Sequence, residues 1–234
     1  EIVSRAYHVA MSGRPGPVVV VIPEDVLEEE CKANDAIAVQ ETLAYPSQED
    51  VKKLRSLLGK AKKPVMFIGG TGWNETARTQ VQDFAEKNKL PIVTSFRRRD
   101  VIDNRYPCFV GELGIGANPN LLPWLNESDL IIAFGLRLGE MNTIGSGFMI
   151  GFSLFDVPVP AQTLIQIHSG LEELNRVYQA DLAILSSPVP MAAALEKTNP
   201  LSTVPWQEWT RNARVEYENY CDTDNCPQPI DLAK

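Results

Sequence analysis

Between Lys63 and Asn74 the chain reads Lys-Pro-Val-Met-Phe-Ile-Gly-Gly-Thr-Gly-Trp-Asn, and its glycines are the first residues with a chemistry to offer. A glycine turn between a strand and a helix exposes backbone N–H groups that can face a phosphate. Against the pattern Gly-x-Gly-x-x-Gly, the run Gly70–Thr71–Gly72–Trp73–Asn74–Glu75 keeps two glycines and puts Glu75 in place of the third. Spacing alone therefore leaves nucleotide binding and a ligand-free turn both open. Arg137 follows a second apolar run. A guanidinium there can grip a phosphate through two hydrogen bonds, or pair with Glu140 or Glu112 instead. Phe96–Arg97–Arg98–Arg99 can line a nucleotide site, or form a solvated turn paired with Asp100 and Asp103. His168 closes a third run and reads as a hydrogen-bonded structural histidine, with no nucleophile or paired carboxylate evident near it. Trp73, Trp124, Trp206 and Trp209 read as packing or interface residues.

The elements that must position these residues follow from hydrophobic periodicity. Val65–Gly69 is too short for a core helix and is entered through Pro64, as a parallel strand buried on both faces would be. Ala77, Val81, Phe84 and Ala85 make one stripe of a helix over 75–89. Further strands are expected at Val18–Ile22, 90–95, 129–135, 164–168 and 181–185, and helices at 1–11, from Ser47 to about Ala61, at 119–126, 171–177, 189–197 and 206–220. Ser47 with Asp50 three residues on is a capping-box variant. Tyr106–Asn120 reads as a glycine-rich loop, and Met141–Pro160 as a long ordered one. Strands alternating with helices in this order predict an α/β fold, a doubly wound parallel sheet with right-handed crossovers.

The totals set outer bounds. At 234 residues, 44% hydrophobic and 22% charged, the chain can bury a sizeable globular core. A net charge of −8 with no basic stripe argues against nucleic acid, and no apolar run nears the roughly 20 residues that span a bilayer. Cysteines lie at 31, 108, 221 and 226, and free thiols in a reducing cytoplasm are the preferred reading. A Cys221–Cys226 disulfide or metal clip is the alternative, though Asp-Thr-Asp-Asn between them is not a usual zinc spacing. The chain opens in mid-helix style at Glu1–Ile2–Val3, as a piece of a longer polypeptide would.

Together these residues resemble the middle portion of thiamine diphosphate-dependent enzymes of the acetolactate synthase and benzoylformate decarboxylase type. Arg14–Pro15–Gly16–Pro17–Val18, followed by Ile22–Pro23–Glu24–Asp25–Val26, resembles the end of their N-terminal pyrimidine-binding domain. The resemblance implies that residues 1–23 are the tail of that domain and 24–47 a linker. Residues 48–198 would be a Rossmann-like central domain of six parallel strands, and 199–234 a helix and linker toward a C-terminal diphosphate-binding domain. It implies a parent that is a homo-dimer or homo-tetramer, uses thiamine diphosphate and Mg²⁺, and decarboxylates or ligates a 2-keto acid. The cofactor sites of that parent would lie outside 1–234, where no Gly-Asp-Gly occurs, so this piece alone would be scaffold and interface.

In acetolactate synthase the central domain also binds FAD. The positions that match are Gly69, Gly70 and Gly72, then Gly114, Gly116 and Asn118, then Gly135 and Arg137. The family's Gly-x-Arg-Phe-Asp-Asp-Arg is kept here only in its Gly and first Arg, and its Asp-Ile-Asp becomes Ile167–His168–Ser169. The related decarboxylases keep the domain without flavin, so FAD is left open. An FAD- or NAD-binding module and a non-catalytic interaction domain remain as alternatives.

Overall fold

Ser47 opens the helix that leads into the sheet with the reciprocal cap its sequence promises. Its hydroxyl accepts from Asp50 N at 3.0 Å while Asp50 Oδ2 accepts from Ser47 N at 3.0 Å, satisfying two of the donors a helix start leaves unpaired. The computed structural model describes residues 1–145 and 150–222. In chain order its elements are α1 (Ile2–Met11), α2 (Glu24–Leu27), α3 (Gln48–Leu58), β1 (Pro64–Ile68), α4 (Glu75–Lys87), β2 (Ile92–Thr94), β3 (Phe109–Glu112), α5 (Leu121–Asn126), β4 (Leu130–Phe134), β5 (Thr163–His168), β6 (Leu182–Leu185), α6 (Pro188–Glu196) and α7 (Gln207–Cys221). The six strands form one all-parallel sheet ordered β3-β2-β1-β4-β5-β6. The expected doubly wound, Rossmann-like α/β fold is what the chain adopts.

Every residue of β1 and β4 is buried, because alternate side chains of a central parallel strand enter two different cores. Met66, Ile68, Ile132 and Phe134 face a core shared with Leu54 and Leu58 of α3, Val81 and Phe84 of α4, and Met191 and Leu195 of α6. Val65, Phe67, Ile131 and Ala133 face the other, closed by Leu121 and Leu125 of α5 and by Leu136, Leu138, Leu154, Phe155 and Tyr178 from loops. One face is thus roofed by helices, the other largely by loop side chains. Helix α7 is joined to this body. Trp206 is fully buried and its indole Nε1 donates to Asn88 O at 3.0 Å, while the Trp209 ring stacks on Trp124 at 4.2 Å.

Three expectations are corrected. Val18–Ile22 makes no sheet pairing among the described residues, and Val19 and Val21 are each 85% exposed. β-branched residues favour a strand but cannot supply the neighbour whose N–H and C=O a strand requires, and no described strand lies beside this one. The glycine-rich loop contains a strand, β3, on the sheet's edge. The helix expected at 171–177 is only a 3₁₀ turn at Leu171–Glu173. Gln166 Oε1 accepts from Asn175 N at 2.8 Å, and Asn175 sits at φ +58°, which turns the chain out of a helical path. Cys226 lies outside the described residues. Cys31, Cys108 and Cys221 are free thiols.

Candidate functional site

The chain leaves β1 toward β2 and β3 on one side, then returns to place β4 on the other. The β1/β4 boundary is therefore the switch point, where carboxyl ends diverge and open α/β sheets place ligands. Gly69–Gly72 and Gly135–Arg137 are the two turns that leave it. They touch more closely than any side chain allows: a Cβ on Gly70 would collide with Gly135 O, and one on Gly135 would stand 2.7 Å from Gly69 O. Gly70 lies at φ +73° and Gly135 at φ +76°, which glycine reaches without strain. Trp73 pins the turn, donating from Nε1 to Gly69 O at 2.8 Å and leaning on the Phe134 ring. Asn74 then caps α4 by accepting from Ala77 N at 2.8 Å.

A cleft of about 230 Å³ opens here. Gly70, Thr71 and Gly135 form its floor, Ser95 and Phe96 one wall, and Arg14, Arg98, Arg137 and His168 its polar rim. Asn142 ties the two walls, accepting from Phe96 N at 3.0 Å and donating to Arg137 O at 3.0 Å. Arg98 is paired with Asp100 at 2.9 Å and Arg14 with Glu173 at 3.2 Å. Glu112, one partner expected for Arg137, instead holds Arg99 at 2.7 Å. Arg137 is exposed and has no ion-pair partner among the described residues. The cleft is therefore cationic, with one guanidinium free for an anion. His168 is buried, and its Nδ1 lies 2.9 Å from Gly170 N and 3.1 Å from Gly170 O, so the Gly170 backbone holds the ring in place. Desolvation is the largest influence on this imidazole and lowers its pKa, which keeps it neutral.

The eight glycine, asparagine and arginine positions singled out in the sequence are divided by the fold. Gly69, Gly70, Gly135 and Arg137 converge on the switch point. Gly114 backs the Phe96 wall, since a Cβ there would stand 2.7 Å from Phe96 Cδ2. Gly72 lies against Pro188 at the start of α6. Gly116 accepts from the Tyr220 hydroxyl at 3.2 Å, and Asn118 Oδ1 accepts from Asn120 N to open α5, beside a separate cavity with Trp124 and Glu216. Arg14 and Asn142 were not singled out as site residues. The only signal for Arg14 was its place in Gly-Arg-Pro-Gly-Pro-Val, and nothing marked Asn142. Among the described residues, no group of three or more His, Cys, Asp or Glu could hold a metal ion, and no helix is long and apolar enough to cross a membrane.

The model of the thiamine pyrophosphate enzyme central domain matches residues 51–195. The large subunit of acetolactate synthase isozyme 2 from Escherichia coli (strain K12) is 28% identical over 226 residues, covering 93% of this chain and 38% of that subunit. The isozyme 1 large subunit from the same organism is 30% identical over 186 residues, covering 79% of this chain and 31% of that one. The chain thus spans well under half the length of these relatives. Among solved structures, benzoylformate decarboxylase from Polynucleobacter necessarius superposes with a TM-score of 0.66 at 22% identity, over 88% of this chain and 37% of the other. At that identity the likeness is one of fold.

Proposed function

Because this chain belongs to the family of thiamine pyrophosphate enzyme central domains, we propose that it is the scaffold and interface domain of an acetolactate synthase-like enzyme that decarboxylates or ligates 2-keto acids. The observation that carries this is the family match over 51–195, which coincides with the six-stranded sheet from α3 to α6. Residues 48–198 are then the central domain, 1–23 the edge of a pyrimidine-binding neighbour, 24–47 a linker, and 199–234 the approach to a diphosphate-binding domain. The parent acts as a homo-dimer or homo-tetramer in the cytoplasm, a placement supported by the exposed free thiols of Cys31 and Cys221. Thiamine diphosphate, with Mg²⁺, supplies carbanion stabilisation in such enzymes. What this chain's own residues contribute is a rigid sheet and a cationic cleft at its switch point.

The cleft does not fit a whole FAD. Arg137 and the Gly70–Thr71 backbone suit a phosphate, but about 230 Å³ falls below the roughly 300–1,000 Å³ of sites for larger ligands. Where acetolactate synthase carries Asp-Ile-Asp, this chain has Ile167–His168–Ser169 at the end of β5, without the acidic partner that the resemblance implies for FAD. The nearby Glu173 is committed to Arg14 and Arg176.

Keto-acid consumption by the longer protein, measured with and without thiamine diphosphate and Mg²⁺, tests this reading. It requires turnover that depends on both additions, and none from residues 1–234 alone. Turnover by the 234-residue chain, or a flavin spectrum in the purified chain, contradicts it.

A further inference from the structure

A second cavity, of about 260 Å³, lies on the other side of Arg137, between residues 137–139 and the loop that carries Glu173, Arg176 and Tyr178. Its lining contains a buried amide with one unused end. Gln166 is 7% exposed, and its Oε1 accepts from Asn175 N at 2.8 Å, which fixes the orientation of the amide. Nε2 has no partner among the described residues, yet it is not among the polar atoms sealed from solvent. Since Gln166 lines this cavity and is otherwise enclosed, its free N–H groups face into it.

Charge surrounds that donor. The Glu173 side chain, 5% exposed, is held by Arg176 Nη1 at 3.2 Å on both oxygens and by Arg14 Nη1 at 3.2 Å. The cavity's own lining carries two guanidiniums, Arg137 and Arg176, against the single carboxylate of Glu173, which Arg14 also neutralises from outside the cavity, so positive charge is in excess. The remaining wall is apolar: Leu138, Phe152, Val177 and the ring of Tyr178. The Tyr178 phenol is enclosed and has no bonded partner among the described residues. Thr143 lies close enough to act on it but outside bonding geometry, its own hydroxyl donating to Gly139 O at 3.0 Å.

We propose that this cavity is a binding site for a short aliphatic 2-oxo carboxylate. The carboxylate meets Arg176 and Arg137, the 2-oxo oxygen accepts from Gln166 Nε2, and the alkyl chain lies on Leu138, Phe152 and Val177. A phosphate would find two cations but would face an apolar wall and a single neutral donor, with its remaining oxygens unmet. The choice of a 2-oxo acid rests on the function proposed above, whereas the cavity and its donors do not.

Calorimetric titration of the 234-residue chain with 2-oxobutyrate, and separately with inorganic phosphate, tests the proposal. Saturable millimolar binding of 2-oxobutyrate is expected, with phosphate weaker. Arg176→Gln, at a partly exposed position that spares the core, and Gln166→Leu should each weaken it roughly tenfold, the effect of losing one good hydrogen bond. No saturation, unchanged affinity in Arg176→Gln, or phosphate binding as tightly as 2-oxobutyrate would overturn it. Loss of the proposed enzymatic function would appear in turnover of the longer protein and would leave this isotherm unmoved.

Discussion

Gly135 O occupies the space that a Cβ on Gly70 would need, and Gly69 O crowds a Cβ on Gly135, with Gly70 and Gly135 both in the left-handed region. Two turns from strands that are not consecutive in the chain are thereby locked together at the floor of the cleft. The contact is made of backbone, so no side-chain rearrangement can relieve an intrusion.

Gly70→Ala should therefore cost more than the strain of its φ. The left-handed conformation alone disfavours alanine by about 1–2 kcal/mol, and displacement of the Gly135 turn brings the total above about 3 kcal/mol. Gly116→Ala is the control. It shares a positive φ of +80° but has nothing within 4 Å of the added carbon, so it should cost only about 1–2 kcal/mol. Urea denaturation of both variants decides the matter, and equal losses would refute the locking role.

Stability should fall as the solution is acidified through the range of histidine. His168 is buried, and desolvation sets its folded pKa below the ordinary 6.5. Above 6.5 neither state binds the proton. Below it the unfolded chain does and the folded one resists, so the folded state loses stability from about pH 6.5 down to its own lowered pKa. Glu173 and Glu172 act against this shift and Arg14 with it. Asp100 and Asp103, held down by Arg98 and Arg105, enter only below the ordinary carboxylate range. Thermal melting between pH 7 and 5 should show the decline in the wild type and a flatter profile in His168→Gln.

Cys108 should be inert in the folded chain. Its thiol is buried, and burial pushes its pKa up to about 12, so almost none is thiolate at neutral pH. Cys31 and Cys221 are exposed. Iodoacetamide followed by peptide mass analysis should modify those two at once and Cys108 only after denaturant is added. Labelling of Cys108 at the rate of Cys31 would contradict the enclosure.

How much of this was legible beforehand depends on whether the cause is local. The Ser47 cap, the Ala77–Phe84 stripe and the apolar runs of β1, β4 and β5 carry their signals within a few residues, and each forms as read. β3 was hidden because Phe109–Val110–Gly111–Glu112 is short and glycine-containing, and takes its stability from neighbours rather than from propensity. Val18–Ile22 shows the reverse, strong propensity without a neighbour. At the cleft, Gly70, Gly135 and Arg137 were legible as turns after strands. Arg14 and Glu173 lie 159 residues apart in sequence, so no spacing could have joined them.

Edge strand β3 is seated on α7 by the Tyr217 ring against Phe109 and by the hydrogen bonds of Arg214. Arg214 Nη1 donates to three backbone carbonyls, Asn104 O at 2.9 Å and Tyr106 O and Phe109 O at 3.0 Å, while its Nε holds Glu218 at 2.7 Å. The loop entering β3 has no helix to satisfy those carbonyls, so the guanidinium does so, and the ladder Ile92–Phe109 forms beside it. Arg214→Gln should cost about 2–3 kcal/mol, the range for charged hydrogen bonds lost at a largely enclosed site. The loss should be local as well as global. Amide exchange at Phe109 and Val110 should quicken before that of β1 or β4, because an edge strand, paired on one side only, opens below the global unfolding free energy. Uniform acceleration across all six strands would show that Arg214 supports the sheet as a whole and has no special part in seating its edge.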